Sequence, residues 1–328
     1  MLARVLLDVA LIALGIALLY AGGELLVGGA TALARRFGVS PLVVGLTVVA
    51  FGTSSPELAA TLVAAFAGAP EVAIGNVLGS NVANLGLILG AAALFHPLTS
   101  EFKFIAREVP FMIGACALML PLAWNGVYGR GDGPLLLACL GVYLVVLVRE
   151  TRSGRLPPQV EAEFVGEFGA RGDAPGAGDL KPAWRSLVAV AFGIALLAGG
   201  AQVLVEGAVG IARAAGVPER VVGISLVALG TSLPELAAAV VAALRRESDI
   251  VLGNLVGSNF FNVLAILGVT SIVHPLPVSP AAIAVDYWVM MAFAVALLPI
   301  LGLRKRVARF EGVALLVAYA VYIVWRYL

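Results

Sequence analysis

Apolar residues along this chain come in long, unbroken blocks separated by short polar breaks. The blocks fall at about 5–30, 41–66, 71–95, 104–124, 133–149, 185–211, 219–244, 249–273, 281–302 and 307–326. Blocks of roughly 20 apolar residues are long enough to cross a bilayer as helices. They are continuous rather than alternating, which excludes the period-two pattern of a transmembrane β-barrel. The pattern predicts an all-α integral membrane protein with ten transmembrane helices. The longest polar stretch, 150–183, is rich in Gly, Pro and charge and reads as a linker. It separates an N-terminal five-helix repeat, 1–149, from a C-terminal one, 184–328.

The division into repeats rests on the sequence itself. Residues 43–90 and 221–268 align without a gap, with 25 of 48 positions identical. The same offset of 178 residues pairs Ala34-Arg35 with Ala212-Arg213, Gly38-Val39 with Gly216-Val217, and His96-Pro97-Leu98 with His274-Pro275-Leu276. The repeat unit is therefore a whole half. Five spans per half make the second half enter from the opposite side, so inverted repeats are expected, as in many secondary transporters. Lys and Arg collect in cytoplasmic loops. With the N-terminus outside, only Arg4, Arg130, Arg213, Arg220 and Arg326 of the 21 basic residues lie on the outer side. Both termini are expected outside and the linker in the cytoplasm.

Composition narrows the function classes. The 328 residues are 61% hydrophobic and 12% charged, with mean hydropathy +1.03, too little charge to coat a soluble domain. A net charge of +1 gives no reason to expect nucleic acid or an acidic partner. No nucleotide-binding loop or nucleophile motif suggests an enzyme. The lone thiols Cys116 and Cys139 read as packing residues. The first apolar run is too long for a signal-peptide core and is expected to stay as a span.

The candidate chemistry lies inside the apolar blocks. Each repeat carries an acid just past a proline, in Gly52-Thr53-Ser54-Ser55-Pro56-Glu57 and Gly230-Thr231-Ser232-Leu233-Pro234-Glu235. Each then carries Gly-Asn-x-x-Gly-Ser-Asn, at Gly75–Asn81 and Gly253–Asn259. A carboxylate at membrane depth is costly unless paired or coordinated. No Lys or Arg lies at comparable depth in these helices, so a metal cation or proton must neutralise Glu57 and Glu235. Together they carry a charge of −2, which one divalent cation cancels. Pro56 and Pro234 have no N–H for the carbonyls of Gly52 and Gly230, so each helix should bend there and free carbonyls around Ala50–Thr53 and Ala228–Thr231. Thr53 and Ser54 share a helix face with Glu57, as Ser80 does with Asn84 and Ser258 with Asn262. Carbonyl, hydroxyl and carboxylate oxygens without sulfur or imidazole suit Ca²⁺ or Na⁺ better than zinc or copper.

Other polar residues read as structural. Asn76, Asn81, Asn254 and Asn259 are expected to bond between helices. His96 and His274 mark span ends, Glu71 and Asp249 cap helix starts, and Glu108 and Asp286 form a matched structural pair. Glu24 and Glu206, at unmatched positions, read as interfacial.

Gly-Thr-Ser-x-Pro-Glu followed by Gly-Asn-x-x-Gly-Ser-Asn, twice in one chain, resembles the α-repeats of the sodium/calcium exchanger family, within the cation/calcium antiporter superfamily. The resemblance covers essentially the whole chain. It implies that the second and third helices of each half form the ion site. Glu57 and Glu235 would be the main Ca²⁺ ligands, joined by the carbonyls of Thr53 and Thr231. Na⁺ sites would share the glutamates and add Ala50, Ser54, Ser80, Ala228, Ser232 and Ser258, with Asn84 and Asn262 flanking the centre. The first and sixth helices would slide across the core. The partners implied are Na⁺, Ca²⁺ and the lipid bilayer, with no cofactor and no obligatory protein partner. The family suggests three Na⁺ per Ca²⁺, a net charge per cycle worth about 2.3 kcal/mol per 100 mV.

Two departures sharpen this. Potassium-dependent relatives use an acid where this chain has Asn262, which argues against K⁺ co-transport. Proton/calcium relatives usually carry a Gly-Asn-type motif in place of Gly-Thr-Ser, so the hydroxyls of Thr53, Ser54, Thr231 and Ser232 favour Na⁺ coupling. The linker is far shorter than the regulatory loop of animal exchangers, so no Ca²⁺ sensor is expected there. The expected function is Na⁺/Ca²⁺ antiport by alternating access, in a prokaryotic inner membrane. A proton-coupled Ca²⁺ antiporter remains open because glutamates also carry protons, and a cation channel is the more distant alternative.

Overall fold

The computed structural model describes residues 2–100, 104–152, 183–215, 228–280 and 282–327. Most of the 150–183 linker and the start of the block at 219–244 lie outside these residues.

In the first half, α1 (Leu2–Phe37) is followed by α2 (Pro41–Val44), a π-helical stretch (Gly45–Val49), α3 (Ala50–Thr53) and α4 (Ser55–Phe66). Next, α5 (Pro70–Ala83) passes through a π stretch (Asn84–Ile88) into α6 (Leu89–Phe95). The half closes with β1 (Leu98–Thr99), a π turn (Phe104–Glu108), α7 (Val109–Leu122), β2 (Val127–Tyr128) and α8 (Asp132–Arg152). The second half runs α9 (Ala183–Ala214), α10 (Ala228–Thr231), α11 (Leu233–Leu244) and α12 (Ser248–Phe260). A π stretch (Phe261–Ile266) leads into α13 (Leu267–Val273) and β3 (Leu276–Pro277). The chain ends with a π turn (Ala282–Tyr287), α14 (Trp288–Arg304), β4 (Arg306–Val307) and α15 (Arg309–Tyr327).

Among the described residues, seven helices are long and apolar enough to cross a membrane, or eight if the bent pair Pro41–Thr53 and Ser55–Phe66 is one span. The block at 219–244 contributes α10 and α11, and the block at 307–326 is the 19-residue α15. Every apolar block thus contains helix, and among the described residues length and apolarity alone pick out eight of the ten blocks as crossings.

Two spans form the centre. The most apolar stretch of Ser248–Val273 is 94% buried and that of Pro70–Phe95 is 78% buried, against 22% for α1 and 28% for α9. The outer helices present apolar side chains such as Leu6, Leu14, Val142, Val188, Phe192 and Val317 to the surroundings, as a lipid-facing surface requires. Two small antiparallel ribbons tie the loops, β1 with β4 and β2 with β3.

α1 and α9 lie antiparallel along a seam of glycines. Gly15 meets Leu204, Gly22 meets Leu197 and Gly29 meets Val190, while Gly193 meets Leu26 and Gly200 meets Leu19. A methyl group on Gly193 would lie 2.7 Å from the backbone nitrogen of Leu26, so only glycine allows this approach. The glycines recur every seven residues, and the two sets are related by the repeat offset of 178. One face of α1 also packs on α11, where Gly23 meets Val241 and Glu24 pairs with Arg245.

Glu108 bonds to Arg107 and Tyr143, and Asp286 to Tyr322 and Arg326. His96 and His274 close α6 and α13. Glu71 and Asp249 sit in the first turns of α5 and α12, two positions past the caps, so the expected capping role falls instead to Ala69 and Glu247. Glu24 is half-buried against Arg245, and Glu206 is exposed.

Candidate functional site

The site begins with the two proline breaks. Ser54, between α3 and α4, has φ −83° and ψ 2°, and Ser232, between α10 and α11, has φ −90° and ψ 3°. Both leave the helical region two residues before a proline, because the ring crowds the preceding turn and offers no N–H. The first break bends its helix pair by 41°. Contrary to the expectation from the sequence, the carbonyl of Ala50 is not released. It accepts the Ser54 N–H at 3.0 Å and the Thr53 hydroxyl at 3.5 Å, because the proline removes a donor only from the turn that starts at Gly52.

The breaks bring the two halves together. Glu57 and Glu235 are each 1% exposed and are immediate neighbours. The Ser54 hydroxyl donates to Glu235 Oε1 at 3.2 Å, and the Ser232 hydroxyl donates to Glu57 Oε1 at 3.4 Å. Each carboxylate is thus held by the serine of the opposite half. The hydroxyl of Thr53 donates to Asn254 Oδ1 at 3.2 Å, and that of Thr231 to Asn76 Oδ1 at 3.5 Å. All these pairs exchange under the 178-residue offset, as the contacts of a two-fold relation do. α9 covers both breaks, with Ile194 over Gly52 and Val205 over Gly230.

The central spans supply the remaining groups. Asn84 opens one π stretch and Asn262 lies in the other. A π turn inserts a residue into the helical ladder and often marks a functional position. Asn84 Nδ2 donates to Asn259 Oδ1 at 3.3 Å, and Asn262 Nδ2 to Asn81 Oδ1 at 2.9 Å. Ser80 and Ser258 are buried one helical turn earlier. Ala50 is fully buried beside the first break, and Ala228 opens α10 at the second.

The buried oxygens without a hydrogen-bond partner mark what the cluster can do. Among the described residues they include Glu57 Oε2, Glu235 Oε2, Asn84 Oδ1, Asn262 Oδ1 and the Ser258 hydroxyl. Leaving so many buried polar atoms unpaired is costly. Four of the five are pure acceptors, the complement of a cation. Among the described residues no group of three or more His, Cys, Asp or Glu is placed to hold a metal ion. The donor set is two carboxylates with neutral oxygens, which suits hard cations.

The two halves differ in one detail. Asn76 Nδ2 donates to Thr61 Oγ1 at 2.9 Å and to the Glu57 carbonyl at 3.2 Å. The residue matching Thr61 is Ala239, and Asn254 Nδ2 is left unpartnered. The four asparagines read as structural do bridge helices, and each bonds to a candidate site residue. The sequence carried no sign of Met112 and Met290, whose sulfurs accept from Asn259 and Asn81 at 3.4 Å.

Comparison with known proteins bears on this arrangement. Over residues 7–149 and 185–328 the chain matches the family model described as sodium/calcium exchanger protein. A protein designated CaxA from Alkalimonas amylolytica is 38% identical over 311 residues, covering 94% of this chain and 95% of that protein. The sodium/calcium exchanger MaX1 of Methanosarcina acetivorans is 31% identical over 335 residues, covering 95% and 96%. The solved structure of the sodium-calcium exchanger NCX_Mj soaked with zero Na⁺ and Ca²⁺ matches with TM-score 0.80 at 31% identity, covering 98% of this chain and 99% of that one.

Proposed function

This chain belongs to the sodium/calcium exchanger family, and from that premise we propose that it exchanges Na⁺ for Ca²⁺ by alternating access at one carboxylate-centred site near the membrane midplane. The carrying observation is the reciprocal pair of buried glutamates, each with an unpartnered oxygen and each held by a serine of the other half. In this reading Ca²⁺ is bound by Glu57, Glu235 and the carbonyls of Thr53 and Thr231. Na⁺ uses the same glutamates with Ala50, Ser54, Ser80, Ala228, Ser232 and Ser258, and Asn84 and Asn262 flank the centre. The hydroxyls beside the glutamates favour Na⁺ over protons as the coupling ion.

The topology belongs to the same proposal: ten spans in two inverted repeats, 1–149 and 184–328, with the linker cytoplasmic and both termini outside a prokaryotic inner membrane. The reciprocal contacts support the two-fold relation. The ribbons support the sidedness, since β1 and β4 join two loops assigned to the inner side and β2 and β3 join two assigned to the outer.

Alternating access needs one side sealed at a time. Val241 on α11 is 2% exposed beneath α1, whereas its match Val63 on α4 is 68% exposed. The stretch of α11 beyond Glu235 is therefore covered by α1, whereas the matching stretch of α4 beyond Glu57 is open, and the glutamates themselves are buried. The ion pair Glu24–Arg245 reinforces the closed side, and its matched positions, Gln202 and Ala67, cannot form one. Arg245→Gln should raise the rate at which an impermeant thiol reagent labels Val241→Cys by about two- to fivefold, the range for an exposed pair worth up to about 1 kcal/mol. An unchanged rate would mean that the pair does not bias the two states.

The function is tested with proteoliposomes loaded with Na⁺ and diluted into Na⁺-free buffer containing Ca²⁺. Ca²⁺ uptake is expected there and not in K⁺-loaded vesicles. Uptake driven only by a pH gradient would transfer the coupling to protons, and unitary conductance steps in a planar bilayer would replace exchange with a channel.

A further inference from the structure

Four buried amides and two thioethers form two identical chains beside the proposed ion site. Met290 Sδ accepts from Asn81 Nδ2 at 3.4 Å, and Asn81 Oδ1 accepts from Asn262 Nδ2 at 2.9 Å. In the other copy Met112 Sδ accepts from Asn259 Nδ2 at 3.4 Å, and Asn259 Oδ1 accepts from Asn84 Nδ2 at 3.3 Å. The two chains are related residue for residue by the 178-residue offset. All six side chains are at most 1% exposed. Each chain ends on a carbonyl oxygen with no protein partner, Asn262 Oδ1 or Asn84 Oδ1.

The order of donors and acceptors in such a chain is fixed by its outer end. An amide can face either way, offering N–H or C=O. A thioether sulfur can only accept. Against Met290, Asn81 must turn its NH₂ outward and its carbonyl inward. Asn262 must then give its NH₂ to that carbonyl, which leaves its own oxygen facing inward. Reversing both amides would set a carbonyl against the sulfur and point an NH₂ group at the glutamates' cation.

We propose that Met112 and Met290 are positioning residues that set the polarity of these two relays, so that Asn84 and Asn262 present oxygen rather than N–H to the transported cation. The inference rests on the antiport reading, in which the cation lies between Glu57 and Glu235. It gives a reason for an asparagine at position 262 to serve without a negative charge. It also gives two methionines outside the aligned core a role other than filling space.

The test is Ca²⁺ exchange by the full-length chain in proteoliposomes. Met290→Leu keeps volume and apolarity but removes the acceptor. It should raise the Ca²⁺ KM about tenfold, the effect of losing one cation-facing hydrogen-bond-type contact, with Vmax little changed. Selenomethionine labelling, which retains an acceptor of the same shape, should preserve the parental KM. The sign should reverse in an Asn262→Asp background. An aspartate has no N–H to give, so Asn81 must turn its NH₂ inward and set its carbonyl against the sulfur. Met290→Leu then removes a clash and should lower the KM. Met112→Leu with Asn84→Asp repeats the test in the other half, should either variant fold poorly. A packing role predicts the same sign in both backgrounds, and that result, or an unmoved KM, overturns the relay. A parent chain that exchanges Ca²⁺ while Met290→Leu changes nothing sinks the relay alone. A parent chain that does not exchange Ca²⁺ sinks the antiport reading with it.

Discussion

Replacing either glutamate by its amide, Glu57→Gln or Glu235→Gln, should abolish Ca²⁺ exchange while leaving the protein folded. The reason is charge, since glutamine keeps the shape. With both carboxylates the proposed site carries −2, which one Ca²⁺ cancels; with one it carries −1. A unit charge about 4 Å from another is worth about 4 kcal/mol at an effective dielectric of 20, and twice that for a divalent ion. Ca²⁺ affinity should therefore fall by at least about three orders of magnitude. Stability should not fall in parallel. Both carboxylates are buried with an unpartnered oxygen each, and removing an uncompensated buried charge is neutral or stabilising. Loss of transport with an unchanged or raised melting temperature is the expected pair of results. The hydroxyls of Ser232 and Ser54 reach Glu57 and Glu235 in the same way, so the two variants should behave alike. Near-parental exchange by either one would overturn the site assignment.

Much of this site was legible in the sequence because its causes are local or repeated. A proline inside an apolar block breaks the helix wherever it falls, and the breaks at Ser54 and Ser232 follow. Two matched acids inside apolar blocks called for a common neutralising partner, and the two glutamates do lie side by side. What depended on partners across the fold was not legible. The π turns at Asn84 and Asn262 follow no period that the sequence records. The polarity of the amides depends on Met112 and Met290, which helix spacing alone would assign to the core. The Glu24–Arg245 pair joins residues in different halves at unmatched positions, so the repeat gave no hint of it. The expected range of freed carbonyls began too early, at Ala50, because the proline's missing N–H is lost to the carbonyl of Gly52 and the turn before it still closes on Ala50.

The glycine seam predicts the second large effect. Gly193→Val should strongly reduce both folded protein and transport, whereas Gly199→Val on the same helix should do neither. The two substitutions cost about the same in helix propensity, since each replaces glycine by a β-branched residue in a helix interior. They differ in what the new side chain meets. At Gly193 the first carbon would already lie 2.7 Å from the nitrogen of Leu26 and 2.8 Å from the carbonyl oxygen of Gly22, while at Gly199 nothing lies within 4 Å. Backbone atoms cannot rotate aside as a flexible side chain can, so α1 and α9 must move apart. Overpacking of this kind typically costs about 1–3 kcal/mol or more. It also opens close contacts at Gly22 and Leu197 along the same seam. Because α9 covers both proline breaks through Ile194 and Val205, a displaced α9 would uncover the glutamates as well. Transport should therefore fall further than the loss of folded protein explains. Equal tolerance of valine at both positions would show that the two helices are not held together by their backbones. A matched fall in transport and folded protein would show that α9 does not enclose the site.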